Sequence, residues 1–192
     1  MVKYGTIGGM KDSELETGRM ISFFAALCMF LSAVEYAVPK PLPFMRIGLA
    51  NLPVMLSLTK MRRRDTLLLI LLKILGQGFI SGTFFSYIFV FSAGGSFAAG
   101  LGMMAVHAAC ARNPQKPLVS AVGISLAGSL ANNIAQLLLA RFILFGENTR
   151  YIAPVLLVSG LVTGLALGVF CTLFIARSRW YALLPDYTGR SK

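Results

Sequence analysis

From Met20 to Ala176 the chain is a succession of apolar runs, interrupted only by short polar segments, prolines and glycines. A helix needs about 20 apolar residues to cross the hydrocarbon of a bilayer. The 192 residues therefore have room for five or six such helices and almost nothing else. Charged residues make up 13% of the chain and hydrophobic ones 56%, where a soluble domain carries about 25% charged residues. This composition requires one integral membrane domain. It excludes a soluble catalytic domain and leaves no room for a nucleotide-binding fold.

The runs predict an all-α membrane protein of six transmembrane helices. Residues 1–19 are polar and are expected to form a cytoplasmic segment, 20–176 the membrane domain, and 177–192 a basic cytoplasmic tail. The first helix is expected over 20–38, without a cleavable signal. It ends at Pro39-Lys40-Pro41-Leu42-Pro43, where prolines forbid helix and favour extended chain. The second run, 47–59, is short for a full crossing and suggests a tilted, broken or partly buried helix. Gly76, Gly78 and Gly82 divide the next stretch into helices near 66–80 and 83–111. A fifth is expected over 118–143 and a sixth over 152–176. Cys28, Cys110 and Cys171 lie in or beside apolar runs without CxxC spacing and read as small buried hydrophobes.

Charge sets the orientation. The net charge of +11 would suggest nucleic acid in a soluble protein. With six spans and both termini inside, however, 13 of the 18 cations fall in inside segments, the densest group being Lys60, Arg62, Arg63 and Arg64. Only Lys40, Arg46 and Arg150 fall in outside loops, so the excess is topological and no nucleic-acid partner is needed.

Ionisable groups in hydrocarbon cost at least a few kcal/mol each, so each calls for a partner or a cavity. Glu35, Arg46, Asn51, Lys73, Gln77, Asn132, Asn133 and Gln136 all fall between mid-membrane and the outer surface in this topology. Their collection in one half predicts a wet, outward-opening pocket. Each also has a structural reading: Glu35 can neutralise Lys73 or Arg46, Arg46 can anchor at the interface, and the amides can bond helices together. Arg141 and Glu147 are expected to meet headgroups or each other, and His107 to be structural or interfacial. Two cations against one acid favour an anionic ligand such as a phosphate ester. Nearby aromatics, including Tyr36, Phe44, Phe84 and Phe85, could stack on a ring.

The segment Pro39-Lys-Pro-Leu-Pro-Phe-Met-Arg46-Ile-Gly-Leu-Ala-Asn51-Leu resembles the proline-rich "(K/R)-x-GLAN" signature of the Gx transporter family, also described as heptaprenyl diphosphate synthase component I. Gly76-x-Gly78-x-Ile-Ser-Gly82, Ser92-Ala-Gly94-Gly95, Gly123-Ile-Ser and Asn132-Asn133-Ile-Ala-Gln136 match further positions over about 20–176. Asn132 and Ala135 depart from the pattern, which often carries His and Gly there. That family is similar to the six-helix substrate-binding (S) components of energy-coupling-factor vitamin transporters. The resemblance implies that bundle, in a bacterial cytoplasmic (inner) membrane, with an outer pocket capped by 38–46. It also implies a partner subunit docked on helix one, where Ser22-xxx-Ala26 and Ala33-xxx-Ala37 have the needed spacing. A flavin as ligand is likewise an implication of the resemblance alone.

Three functions follow as expectations. The first is a non-enzymatic transporter or substrate-binding component for riboflavin, FMN or FAD. Arg46 and Lys73 would hold phosphate, the amides would hold ring edges, and the proline-rich loop would gate access. The second is an accessory component handling a prenyl diphosphate. Catalytic prenyl synthases hold Mg²⁺ on paired aspartates, whereas Asp12, Asp65 and Asp186 are isolated, so no catalytic residues and no metal site are expected. The third is a scaffold whose polar cluster is internal glue.

Overall fold

The computed structural model describes residues 12–38, 48–110 and 120–185, and every regular element among them is helical. Helix α1 covers Asp12–Ala37. A 3-10 turn over Leu49–Asn51 leads into α2, Leu52–Ser57. Then come α3 (Arg63–Ile80), α4 (Tyr87–Cys110) and α5 (Ala121–Leu139). A π turn over Ala140–Phe145 and a 3-10 turn over Gly146–Asn148 connect to α6 (Thr149–Arg177), which is followed by α7 (Arg179–Leu183).

Several boundaries differ from the hydropathy reading, each for a local reason. Helix α1 starts at Asp12 rather than Met20, since a helix need not begin where its apolar run does. Helix α2 is six residues long, opens with a proline in its first turn and is buried throughout. It is the broken, buried version of the second helix. At the other end, α7 falls inside the segment expected to be a solvated tail. Tyr181 is buried, its hydroxyl donates to the Leu56 carbonyl at 2.8 Å, and Lys60 Nζ donates to the Leu184 carbonyl at 2.9 Å.

Among the described residues, three helical stretches are long and apolar enough to cross a membrane: Leu15–Ala37, Tyr87–Cys110 and Ala121–Arg177. The last contains 57 residues and doubles back on itself. Gly160 lies against Asn133, Gly164 against Ser129 and Gly168 against Ser125, a register that only an antiparallel pair can have. Helix α3 falls outside this class because Arg63, Arg64, Asp65 and Lys73 sit among its 18 residues.

Small residues set the helix spacing. In lipid there is little hydrophobic force between helices, so close backbone approach and dispersion must supply the contact. Gly100 accommodates Ile70 of α3, Gly102 meets Ala127 and Ala131 of α5, and Gly128 meets Met103 of α4. These contacts make α3, α4, α5 and α6 an antiparallel series. Helix α1 lies on α3, with Met29 over Gly76. The interior holds Phe24 and Cys28 of α1, Met55 of α2, Leu69 and Ile70 of α3, and Ala99 and Met103 of α4. Large apolar side chains such as Phe30, Phe79, Phe142 and Leu161 point outward. On a soluble protein this would be a severe liability; in lipid it is the solvated surface.

The glycine stripe on α6 yields a test. Gly160→Leu would drive a side chain into Asn133 and should destabilise the bundle by about 1–3 kcal/mol. The readout is a lowered thermal midpoint in detergent. Gly18→Ala, where nothing lies within 4 Å, should leave the midpoint unchanged or raise it.

Candidate functional site

The buried face of α3 repeats at helical spacing, Thr66, Leu69, Ile70, Lys73, Ile74 and Gln77. Lys73 and Gln77 therefore share the interior with apolar neighbours. Lys73 is 3% exposed. Its ammonium donates to Asn51 Oδ1 and, at 3.3 Å, to Ser96 Oγ on α4. One turn along each helix, Ser92 Oγ donates to Gln77 Oε1 at a longer 3.5 Å. The antiparallel α3–α4 register thus lays two hydroxyls opposite two polar side chains.

Asn51 arrives there because the chain turns sharply before it. Gly48 has φ +88°, a left-handed conformation that disfavours any side chain. Its backbone N–H donates to Glu35 Oε2 of α1 at 3.1 Å. Glu35, itself 1% exposed, thereby fixes the entry to the 3-10 turn that carries Asn51. The 3-10 turn and α4 thus meet the buried ammonium of α3, with α1 holding the turn from behind. Desolvating that charge costs several kcal/mol unless acceptors surround it.

The amides of α5 lie along the next interfaces. Asn132 and Gln136 flank Gly95 of α4, where a Cβ would run into both. Asn133 turns toward α6 and donates to the Leu156 carbonyl at 2.8 Å, so it bonds two helices. Asn132 Nδ2 reaches Asn133 Oδ1 at 3.5 Å. Gly95 and Ser96 are consecutive on α4, so the Lys73 cluster and the α5 amides adjoin through that helix. The polar residues thus form a belt along successive interfaces. The crevice that reaches Asn51, together with Met103, Ser125, Gly128 and Leu167, holds about 10 Å³, room for about one water. Arg46 lies outside the described residues, as does most of the segment expected to gate the pocket.

Ser92 and Ser96 were not recognisable as partners from sequence, because a serine within a glycine-rich helix reads as a small packing residue. Their i, i+4 spacing is the signal that was available. Arg141 and Glu147 form an ion pair at 2.8 Å, exposed on both sides.

A second feature faces outward. Between α5 and α6 a lateral groove of about 400 Å³ is lined mainly by apolar residues, among them Leu126, Leu130, Leu157 and Leu161. Farther along the same helix pair is a recess of about 320 Å³, lined by Ile134, Leu137, Leu138 and Ala153, with Arg141, Glu147 and Arg150 at its rim. The Arg150 guanidinium lies 5.0 Å over the Tyr151 ring. The recess thus has an apolar floor and a rim of two cations and one acid, two of them paired with each other.

A family model described as heptaprenyl diphosphate synthase component I matches residues 24–174. No curated protein and no solved structure matches the chain.

The Lys73 cluster can be tested as a coupled unit. Asn51→Leu leaves the buried ammonium short of an acceptor and should cost about 1–3 kcal/mol, read as a lower thermal midpoint. Adding Lys73→Met to that chain removes the stranded charge and should restore most of the loss.

Proposed function

The chain belongs to the heptaprenyl diphosphate synthase component I family, and from that premise we propose that it is the non-catalytic membrane subunit of a prenyl diphosphate synthase. It holds the isoprenoid ligand while a separate component performs the chain elongation. The observation that carries this reading is the lateral groove between α5 and α6. A prenyl chain is a lipid, and a slot open to the side of the bundle admits it directly from the bilayer. At the rim, beside the Arg141–Glu147 ion pair, Arg150 would then provide charge for a diphosphate.

In this reading the bundle crosses a bacterial cytoplasmic membrane six times with both termini inside, as the distribution of cations supports. The name "component I" implies a further component. The outer face of α1 is a suitable seat for it, since Ser22, Ala26, Ala33 and Ala37 are all exposed there and small residues permit close helix approach.

A second reading is transport of a small anionic aromatic cofactor, a flavin. The Lys73 ammonium supports it, because a buried positive charge held by Asn51 and Ser96 could serve a phosphate or a polar ring edge. Glu35, Gln77, Asn132, Asn133, Gln136 and, outside the described residues, Arg46 would complete that site.

Mass spectrometry of small molecules released from the purified full-length protein separates these readings. Prenyl diphosphate should be recovered from the wild type. Leu130→Trp, which fills the groove, should reduce its recovery by about tenfold, the effect of 1.4 kcal/mol. Recovery of a flavin, lost in Lys73→Ala, would replace the first reading with the second. Finding neither molecule, with belt substitutions affecting only folding, would leave a scaffold.

A further inference from the structure

The end of the bundle remote from the α5–α6 groove's arginine rim contains a pocket that neither the belt nor the groove uses. The turn between α2 and α3 meets the last turns of α4 around a cavity of about 80 Å³. Arg62, Arg63, Thr66 and His107 line it together with Leu58, Met61 and Met104. His107 is the chain's one histidine. Arg62 is the residue preceding α3, and no described side chain caps that helix. The first turn of an 18-residue helix, with its positive dipole end, therefore forms part of the wall. Thr66 is fully buried, its hydroxyl 3.2 Å from the Arg62 carbonyl. Asp65, the acid of the same turn, is not among the lining residues.

Orientation in the membrane explains why cations gather at this end, but it does not require them to wall a concavity. A topological cluster needs only water or headgroups. Here two arginines, a histidine and a helix amino terminus line one small space, while a leucine and two methionines supply an apolar side. We propose that this pocket binds a phosphate group attached to an apolar chain. The guanidinium groups would hold the oxygens through paired, charge-assisted hydrogen bonds. Leu58, Met61 and Met104 would take the first carbons of the chain. The diphosphate of a prenyl ligand and the phosphate of a membrane lipid share this chemistry. The inference stands on the pocket itself and holds whether or not the α5–α6 groove takes a prenyl chain.

The test is a titration of the full-length protein in detergent micelles, with farnesyl diphosphate in one arm and phosphatidylglycerol in the other. Arg62→Gln and Arg63→Gln change exposed residues of the pocket. Arg64→Gln makes the same change of charge at a neighbour that does not line it. Arg150→Gln perturbs only the groove rim and isolates any binding there. At least one ligand should bind about tenfold more weakly to Arg63→Gln, as expected for one lost charge-assisted bond, and bind unchanged to Arg64→Gln. Loss confined to farnesyl diphosphate identifies the diphosphate, and loss confined to phosphatidylglycerol identifies a lipid headgroup. The proposal is overturned if neither affinity depends on Arg62 or Arg63, or if Arg64→Gln weakens binding as much as they do.

Discussion

A charged amine inside a low-dielectric bundle must bring its own solvation, and the helices around Lys73 are arranged to provide it. The acceptors come from different elements: the 3-10 turn supplies Asn51 and α4 supplies Ser96. Neither can be moved without exposing the ammonium to hydrocarbon. Glu35 acts one step back, holding the Gly48 amide and so the turn that delivers Asn51. The short, wholly buried α2 follows from this requirement. A full-length second helix would carry Asn51 at a height set by its ends, whereas a turn tied to α1 sets it at the height of Lys73. The cost of a buried charge thereby becomes a source of specificity, because only one register satisfies it.

The same economy governs the rest of the bundle. Where no charge needs an acceptor, small residues bring backbones together, and α4, α5 and α6 interlock through Gly95, Gly102, Gly128 and the Gly160–Gly164–Gly168 stripe. Asn133 belongs to this packing as much as to the polar belt, since its amide is bonded to the α6 carbonyl of Leu156. Among the described residues, spaces larger than the crevice at Asn51 lie at the lateral face between α5 and α6 and at the Arg62 end. The lateral spaces are lined mainly by apolar side chains.

Much of the fold was legible residue by residue. Long apolar runs can only be helices in lipid, since each backbone amide must find its partner within the segment, and glycines and prolines marked where those helices stop. Lys73 and Gln77 could be placed on one face by their spacing of four, and Gln136 beside Asn132 by the same arithmetic. The first helix was expected from Met20, where the apolar run begins, whereas α1 begins at Asp12, because hydropathy marks what suits lipid and not where a helix starts. The docking of α7 was invisible because Tyr181 owes its burial to Leu56 and Lys60, more than a hundred residues away in sequence.

The amino-acid sequence alone determined that the chain is helical with segments apolar enough to cross a membrane, which segments carry the positive charge, and which polar groups fall within the apolar runs. These properties are local, depending on transfer free energies and helical periodicity that operate within a single segment. Tertiary structure decided what each sheltered group meets: Lys73 with Ser96, Asn133 with a carbonyl of α6, and two arginines with the lone histidine around a small pocket. Pairings of this kind depend on the relative register of helices, which glycine contacts set in three dimensions and which no single run of residues contains.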